Sequence, residues 1–218
     1  MILAGISLAA SGELFRHIGI SSARALAGFA LGGGIGFAFG VLNGVFPLSS
    51  RLLDTTLQMI RNVPHLALLP LVILWFGIDE WAKLFLVALG VFFPIYVNTY
   101  HGVRTVDAGL TEMGSVYGLG GMALFREVLL PGALPSVLVG VRYALGIAWL
   151  TLIVAETISA SAGIGYLTMN AREFLQTDVV VLGIIIYAIL GKLADAATRA
   201  LERRWLAWHP AFQTVEAG

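Results

Sequence analysis

The stretch EMGSVYGLGGMALFREVLLPGALP, Glu112 to Pro135, decides how the rest of this chain is read. The sequence on either side of it is apolar enough to cross a membrane, and this stretch is not. It holds a short amphipathic run, then Gly118-Leu119-Gly120-Gly121, then a mixed segment with Arg126 and Glu127, then Leu130-Pro131. Asp107 stands at an N-cap position, and the pattern predicts a helix over 108–117 with Glu112 near its first turns. Gly118 suits the left-handed position that ends a helix. Leu110, Met113, Val116 and Tyr117 are the apolar members. Such a helix is too short to span lipid and too apolar to stay free in water. It also lacks the Lys- and Arg-rich face of a helix that lies on a membrane. Held between two spans, it reads as a docking helix for another protein. Gly114 and Ser115 leave room for a close surface. Pro131 and Pro135 then suit the first turn of a new helix, where the missing N–H would be unpaired anyway.

The composition agrees with a membrane chain. Of 218 residues, 58% are hydrophobic and 12% charged, where a soluble domain carries about 25% charge. Mean hydropathy is +0.89. A crossing helix needs about 20 apolar residues. Five such runs lie at 21–44, 55–76, 80–100, 133–157 and 178–198. Their length fits helices, not the alternating strands of a membrane barrel. The expected fold is an all-α integral membrane protein with five spans. A net charge of zero gives no field for nucleic acid, and the absence of cysteine excludes disulfides and thiolate sites. The first residues, MILAGISLAASGELFRH, lack the basic region of a signal peptide and are too short an apolar run to span. Placing 101–131 inside puts Arg51, Arg104, Arg126, Arg199, Arg203 and Arg204 on that side. The N-terminus is then outside and the C-terminus cytoplasmic.

Two further patterns stand out. Gly28, Gly32, Gly36, Gly40 and Gly44 recur every four residues, a small-residue face that lets another helix approach closely. Ionisable groups also fall inside spans, where they mark a pathway or a structural pair. Arg142 lies near the middle of its span and Glu156 near the outer end, within reach of Lys83 or Arg172. Arg61, Asn62 and His65 cluster at the inner end of the second span, with Pro64 bending it. The glycines of 162–166 suggest a turn at the outer mouth.

The spacing Glu112, Gly118, Val128-x-Leu130-Pro131 resembles the signature of ABC-importer permeases, E-A-A-x3-G-x9-I-x-L-P. Met113 and Gly114 depart from the two usual alanines. LLDTTLQMIRNVPHLALLPLVILWFGIDEWAKLFLVALG and RYALGIAWLTLIVAETISASAGIGYLTMNAREFLQTDVVV are similar to the permease subunit of aliphatic-sulfonate importers, with taurine and nitrate permeases more distant. The resemblance runs from about residue 11 to 212. It implies a five-helix type I importer domain over 18–200, a coupling helix at about 108–118, a segment 1–17 outside the core and a cytoplasmic tail over 201–218. Those permeases usually begin with an extra N-terminal helix, which the first residues here do not supply.

The resemblance further implies a bacterial inner-membrane location and a homodimer of permease subunits. Two copies of a cytoplasmic ATP-binding subunit, carrying ATP and Mg, and an external binding protein complete the importer. Asp107, Glu112, Met113, Gly114, Tyr117, Gly118, Leu130 and Pro131 would couple to the ATPase, and Arg142, Glu156, Arg61 and Asn62 would line the path. The chain has no G-x-x-x-x-G-K-[ST] loop, so hydrolysis belongs to a partner, and no metal site is expected. A secondary transporter would have no use for the docking helix. An intramembrane enzyme would need a motif such as H-E-x-x-H or G-x-S-x-G, and neither is present.

Overall fold

The computed structural model describes residues 2–209, and among them every regular element is helical. The end of the expected 201–218 tail lies outside the described residues. Helix α1 (Ile2–Ala10) is one short helix, and α2 (Glu13–Val45) is the first long one. The expected boundary at residue 17 therefore falls inside α2. A bent pair follows, α3 (Pro47–Arg61) and α4 (His65–Phe76), then α5 (Glu80–Arg104) and the short α6 (Ala108–Val116). Helix α7 (Gly121–Ile158), α8 (Ile164–Glu173) and α9 (Thr177–Trp205) complete the chain. Helices α2, α5, α7 and α9 are long and apolar enough to cross a membrane, and the α3/α4 pair makes a fifth crossing if counted as one.

The second expected span is thus not a straight helix. Its halves meet at 79° across Asn62-Val63-Pro64. Pro64 has an extended backbone and no N–H to continue the ladder, so the helix must stop before it. The helix also starts earlier than the apolar run suggests, at Pro47, through a π turn at Ser50–Asp54. Its lower arm is tied down by polar contacts. Tyr96 Oη donates to Asp54 Oδ1 at 2.7 Å, and Asn43 Nδ2 donates to Tyr96 Oη at 2.8 Å.

Helix α7 likewise begins twelve residues before the expected start; Pro131 still stands in the first turn of its regular α-helical part, which opens at Leu130, while Pro135 lies inside it. A π turn at Phe125–Leu129, in which Leu130 N–H reaches back to Phe125 O, shifts the ladder just ahead of Pro131. Such a turn accommodates a residue that cannot donate. The connection after α7, where a turn was expected over 162–166, also contains a helix, α8. Its buried Ile164, Leu167 and Ala171 follow a helical period that the glycines beside them obscured.

The glycine stripe explains the tightest packing. Helices α2 and α5 form the most extensive pair, with α5 and α7 next. Gly28 faces Val87, Gly32 the backbone of Ala88, Gly36 the backbone of Phe92, Gly40 Thr99 and Gly44 Val103. Each four-residue step on α2 meets a corresponding step on α5, so the stripe is an intramolecular seam. Ala25, Val87, Val91, Ile95, Ala144, Ala148 and Leu152 fill the space among α2, α5 and α7. Leu69, Val72, Ala82, Leu86 and Ala155 hold α4 against α5 and α7.

A Cβ on Gly32 would collide with the Ala88 carbonyl, which cannot rotate away, whereas Gly34 has nothing within 4 Å. Gly32→Ala is expected to destabilise the protein by about 1–3 kcal/mol or more, and Gly34→Ala to be silent. Thermal unfolding of the two variants in detergent checks this, and equal midpoints would remove the seam from the account of stability.

Candidate functional site

Four constellations sit on this scaffold. The first lies at the end of the bundle away from α6 and is built around Glu156, which is 1% exposed. Ser21 Oγ lies 2.8 Å from both carboxylate oxygens. Arg24 Nη1 donates to Oε1 at 2.8 Å and Gly165 N–H to Oε2 at 2.9 Å. Tyr187 Oη adds a longer contact of 3.3 Å from α9. Arg24 uses its other edge on Glu80, with Nε at 2.6 Å and Nη2 at 2.5 Å from the two oxygens. Lys83 Nζ also reaches Glu80, at 3.1 Å. The backbone of the α7–α8 connection joins in, because Gly163 N–H donates to His17 Nδ1 and Ile164 N–H to Ser21 Oγ, each at 2.9 Å. The carboxylate caps the start of α8 from another helix, as an N-cap side chain does from within one.

The partner of Glu156 is therefore Arg24, not Lys83 or Arg172. Arg24 stands one turn before Gly28 on the same helix, and a cation placed on a close-packing face is the signal that could have found it. Arg142 is also matched. Its Nη2 donates to Glu202 Oε2 at 2.5 Å, and its Nε lies 3.6 Å from Asp195 Oδ1. Arg199 reaches the same Asp195 at 2.6 Å. Asp195 and Glu202 are seven residues apart, which puts both carboxylates on one face of α9, and sequence reasoning overlooked them.

Arg61 and Asn62 are elsewhere, exposed at the break between α3 and α4. Arg61 and His65 line a cavity of about 350 Å³ together with Gly90, Pro94 and Asn98 of α5 and Ile147 of α7. Gly90 lies about 15 Å from one end of α5, and Asn98 about 9 Å from the other, at 1.5 Å per residue. The cluster is near mid-depth, not at the inner end as expected, because α3 begins eight residues before the apolar run. The four expected path residues, Arg142, Glu156, Arg61 and Asn62, are not brought together. Only Arg61 and Asn62 are neighbours.

The segment around α6 forms the fourth constellation. Asp107 Oδ1 caps α6 by accepting from Gly109 N–H at 2.6 Å. Gly118 is left-handed, with φ +82°. Leu119 N–H returns to Gly114 O at 2.9 Å and Gly118 N–H to Ser115 O at 3.0 Å, the paired bonds of a Schellman ending. Gly114 is buried, but the surface it admits is the chain's own: a Cβ there would meet Leu124 and Val128. The opposite face is open. Val116 is 86% exposed, Tyr117 81% and Met113 52%, with Glu112 exposed beside them. Between α6 and the base of α7 runs a groove of about 500 Å³, walled by Leu110, Met113, Tyr117, Val128, Pro131 and Trp208. Leu130 is half-buried on the turn above it.

A capped helix with an open apolar face thus lies between two membrane-crossing helices. Residues 28–207 match the family described as binding-protein-dependent transport system inner membrane component. The chain belongs to that permease family. It is 64% identical over 211 residues to a protein of Escherichia coli (strain K12) provisionally named aliphatic sulfonates transport permease, covering 97% of this chain and 80% of that protein. A protein of the same provisional name from Bacillus subtilis (strain 168) is 49% identical over 213 residues, covering 98% and 77%. The taurine transport system permease of Escherichia coli (strain K12) is 37% identical over 196 residues, covering 90% and 71%.

As an inner-membrane permease the chain is multi-pass, and its family works with ATP-binding and substrate-binding subunits. The two departures from the permease signature have separate consequences. Gly114 faces inward, so it alters how tightly α6 seats on α7, while Met113 alters the open face.

Glu156 ties α2, α7, α8 and α9 together, and its loss leaves Arg24 with Glu80 as its one carboxylate partner. Glu156→Gln is expected to destabilise the permease by about 3 kcal/mol, the low end for a broken buried pair. A shifted midpoint of thermal unfolding in detergent is the readout. An unchanged midpoint would mean that the cluster contributes nothing to the fold.

Proposed function

We propose that this permease carries aliphatic sulfonates inward as part of an ATP-driven importer. The observation that supports it most is the 64% identity, over nearly the whole chain, to a permease named for that substrate class. The open apolar face of α6 supports the ATP-driven part, since such a face needs a protein surface to cover it. In this reading two copies of the chain pair in the membrane. Two ATP-binding subunits, each holding ATP and Mg, seat against Met113, Val116 and Tyr117. Asp107 and Gly118 hold α6 at fixed length beneath them, with Leu130 and Pro131 at the base of α7. Hydrolysis resides in those subunits and not in this chain. The α6 end and the C-terminus face the cytoplasm, and an external binding protein delivers the anion at the Glu156 end. Taurine and nitrate are the second reading, on relatives at 37% and 32% identity.

The test is growth on an alkanesulfonate as sole sulfur source, in a host that lacks its own sulfonate permease but keeps the ATP-binding subunit and binding protein. The permease is expected to restore growth. Val116→Asp, at an exposed position, is expected to abolish growth while leaving the amount in the membrane unchanged. Growth on taurine but not on an alkanesulfonate would move the substrate to the second reading. Undiminished growth with Val116→Asp would remove the docking role of α6.

A further inference from the structure

Arginines inside crossing helices are costly and need an explanation one by one. Arg24 is matched by Glu80 and Glu156, and Arg142 by Glu202 and Asp195. Arg61 differs. Among the described residues its guanidinium has no hydrogen-bond or ion-pair partner, although it stands opposite the middle of α5 and α7.

The cavity beside it has the features an anion with an apolar tail requires. Gly90 presents no side chain, which lets His65 Nε2 sit 2.9 Å from Thr151 Oγ1 and keeps the imidazole ring against the cavity wall. Asn98 gives one amide N–H to the Pro94 carbonyl at 2.8 Å, and its amide carries a second N–H. Phe93 and Ile147 supply apolar wall.

We propose that the break between α3 and α4 is the mid-membrane resting place of the sulfonate head group, with Arg61 as its charge partner. This rests on the sulfonate reading above. A sulfonate carries one negative charge over three oxygens, and a guanidinium fork can bond two of them at once. Asn98, on the same cavity, has a second amide N–H for the remaining oxygen, and the alkyl chain lies along Phe93 and Ile147. One exposed arginine, without a second cation, gives a weak station, which suits a step on a path that must release its cargo. Arg142 is not part of this station, since its charge is neutralised in a separate cavity with Arg199 and Leu206.

The experiment uses the assembled importer in proteoliposomes with its ATP-binding subunit and binding protein. Uptake of ethanesulfonate, taurine and nitrate is measured for wild type, Arg61→Gln and Arg61→Lys. Arg61→Gln is expected to slow ethanesulfonate uptake about tenfold or more, the effect of losing one charge-assisted pair. Arg61→Lys is expected to recover part of that loss, because it restores charge without the fork. Both variants are expected to co-purify with the ATP-binding subunit at the wild-type ratio and to unfold at the wild-type temperature. Wild-type uptake by Arg61→Gln overturns the proposal. So does equal failure of both variants together with lost assembly, which would make Arg61 structural. If wild type carries nitrate or taurine but not ethanesulfonate, the sulfonate reading fails by itself. Loss of that other uptake in Arg61→Gln then supports Arg61 as the anion contact, and retention overturns it.

Discussion

Glu156 carries its carboxylate into the packed end of a bundle whose other contacts are mostly apolar. A charge in that setting persists only if its lone pairs are met and its countercharge is close. Meeting that requirement recruits Ser21 and Arg24 from α2, Gly165 from the start of α8 and Tyr187 from α9. Arg24 in turn brings in Glu80 from the first turn of α5. One buried group thereby fixes how five helices meet. It also fixes the path of the 160–163 connection, whose Ala162 carbonyl accepts from Arg24 and whose Gly163 N–H donates to His17.

The two ends of the bundle are held by different physics. At the Glu156 end, directional bonds to a charge set the geometry. Along α2 and α5 the constraint is steric, since glycines bring the backbones together and leave no side chain to repack. At the α6 end, caps and a Schellman ending stiffen a short helix whose buried Gly114 lies against Leu124 and Val128 of α7. Helix α7 runs the length of the molecule, from beside that helix to Glu156. The α3/α4 pair is tied by polar contacts mainly through Asp54 and Ser50 in its lower arm.

The helical class, the glycine seam and the short helix after Asp107 were legible in the sequence because each rests on local spacing. A four-residue glycine repeat, an Asp cap and a Gly stop describe a single helix and need no partner to be recognised. The broken span was half legible: Pro64 announced a bend but not its angle. Pairings across helices were not legible. Glu156 could have reached Lys83 or Arg172 by distance along the chain alone, and only packing selects Arg24. Likewise Arg142 gave no hint of Glu202, sixty residues away. Helix α8 was hidden by the glycines that flank and enter it, and the π turn before Pro131 has no composition signal.

The break at 62–64 has a consequence for water. The carbonyls of Arg61, Asn62 and Val63 accept no backbone hydrogen bond among the described residues. Irregular backbone at membrane depth persists only where protein or water meets its polar groups. Arg61 and Asn62, exposed at the same point, add to the polar surface that protein or water must meet there. An anion held at the proposed station would meet these polar groups rather than hydrocarbon.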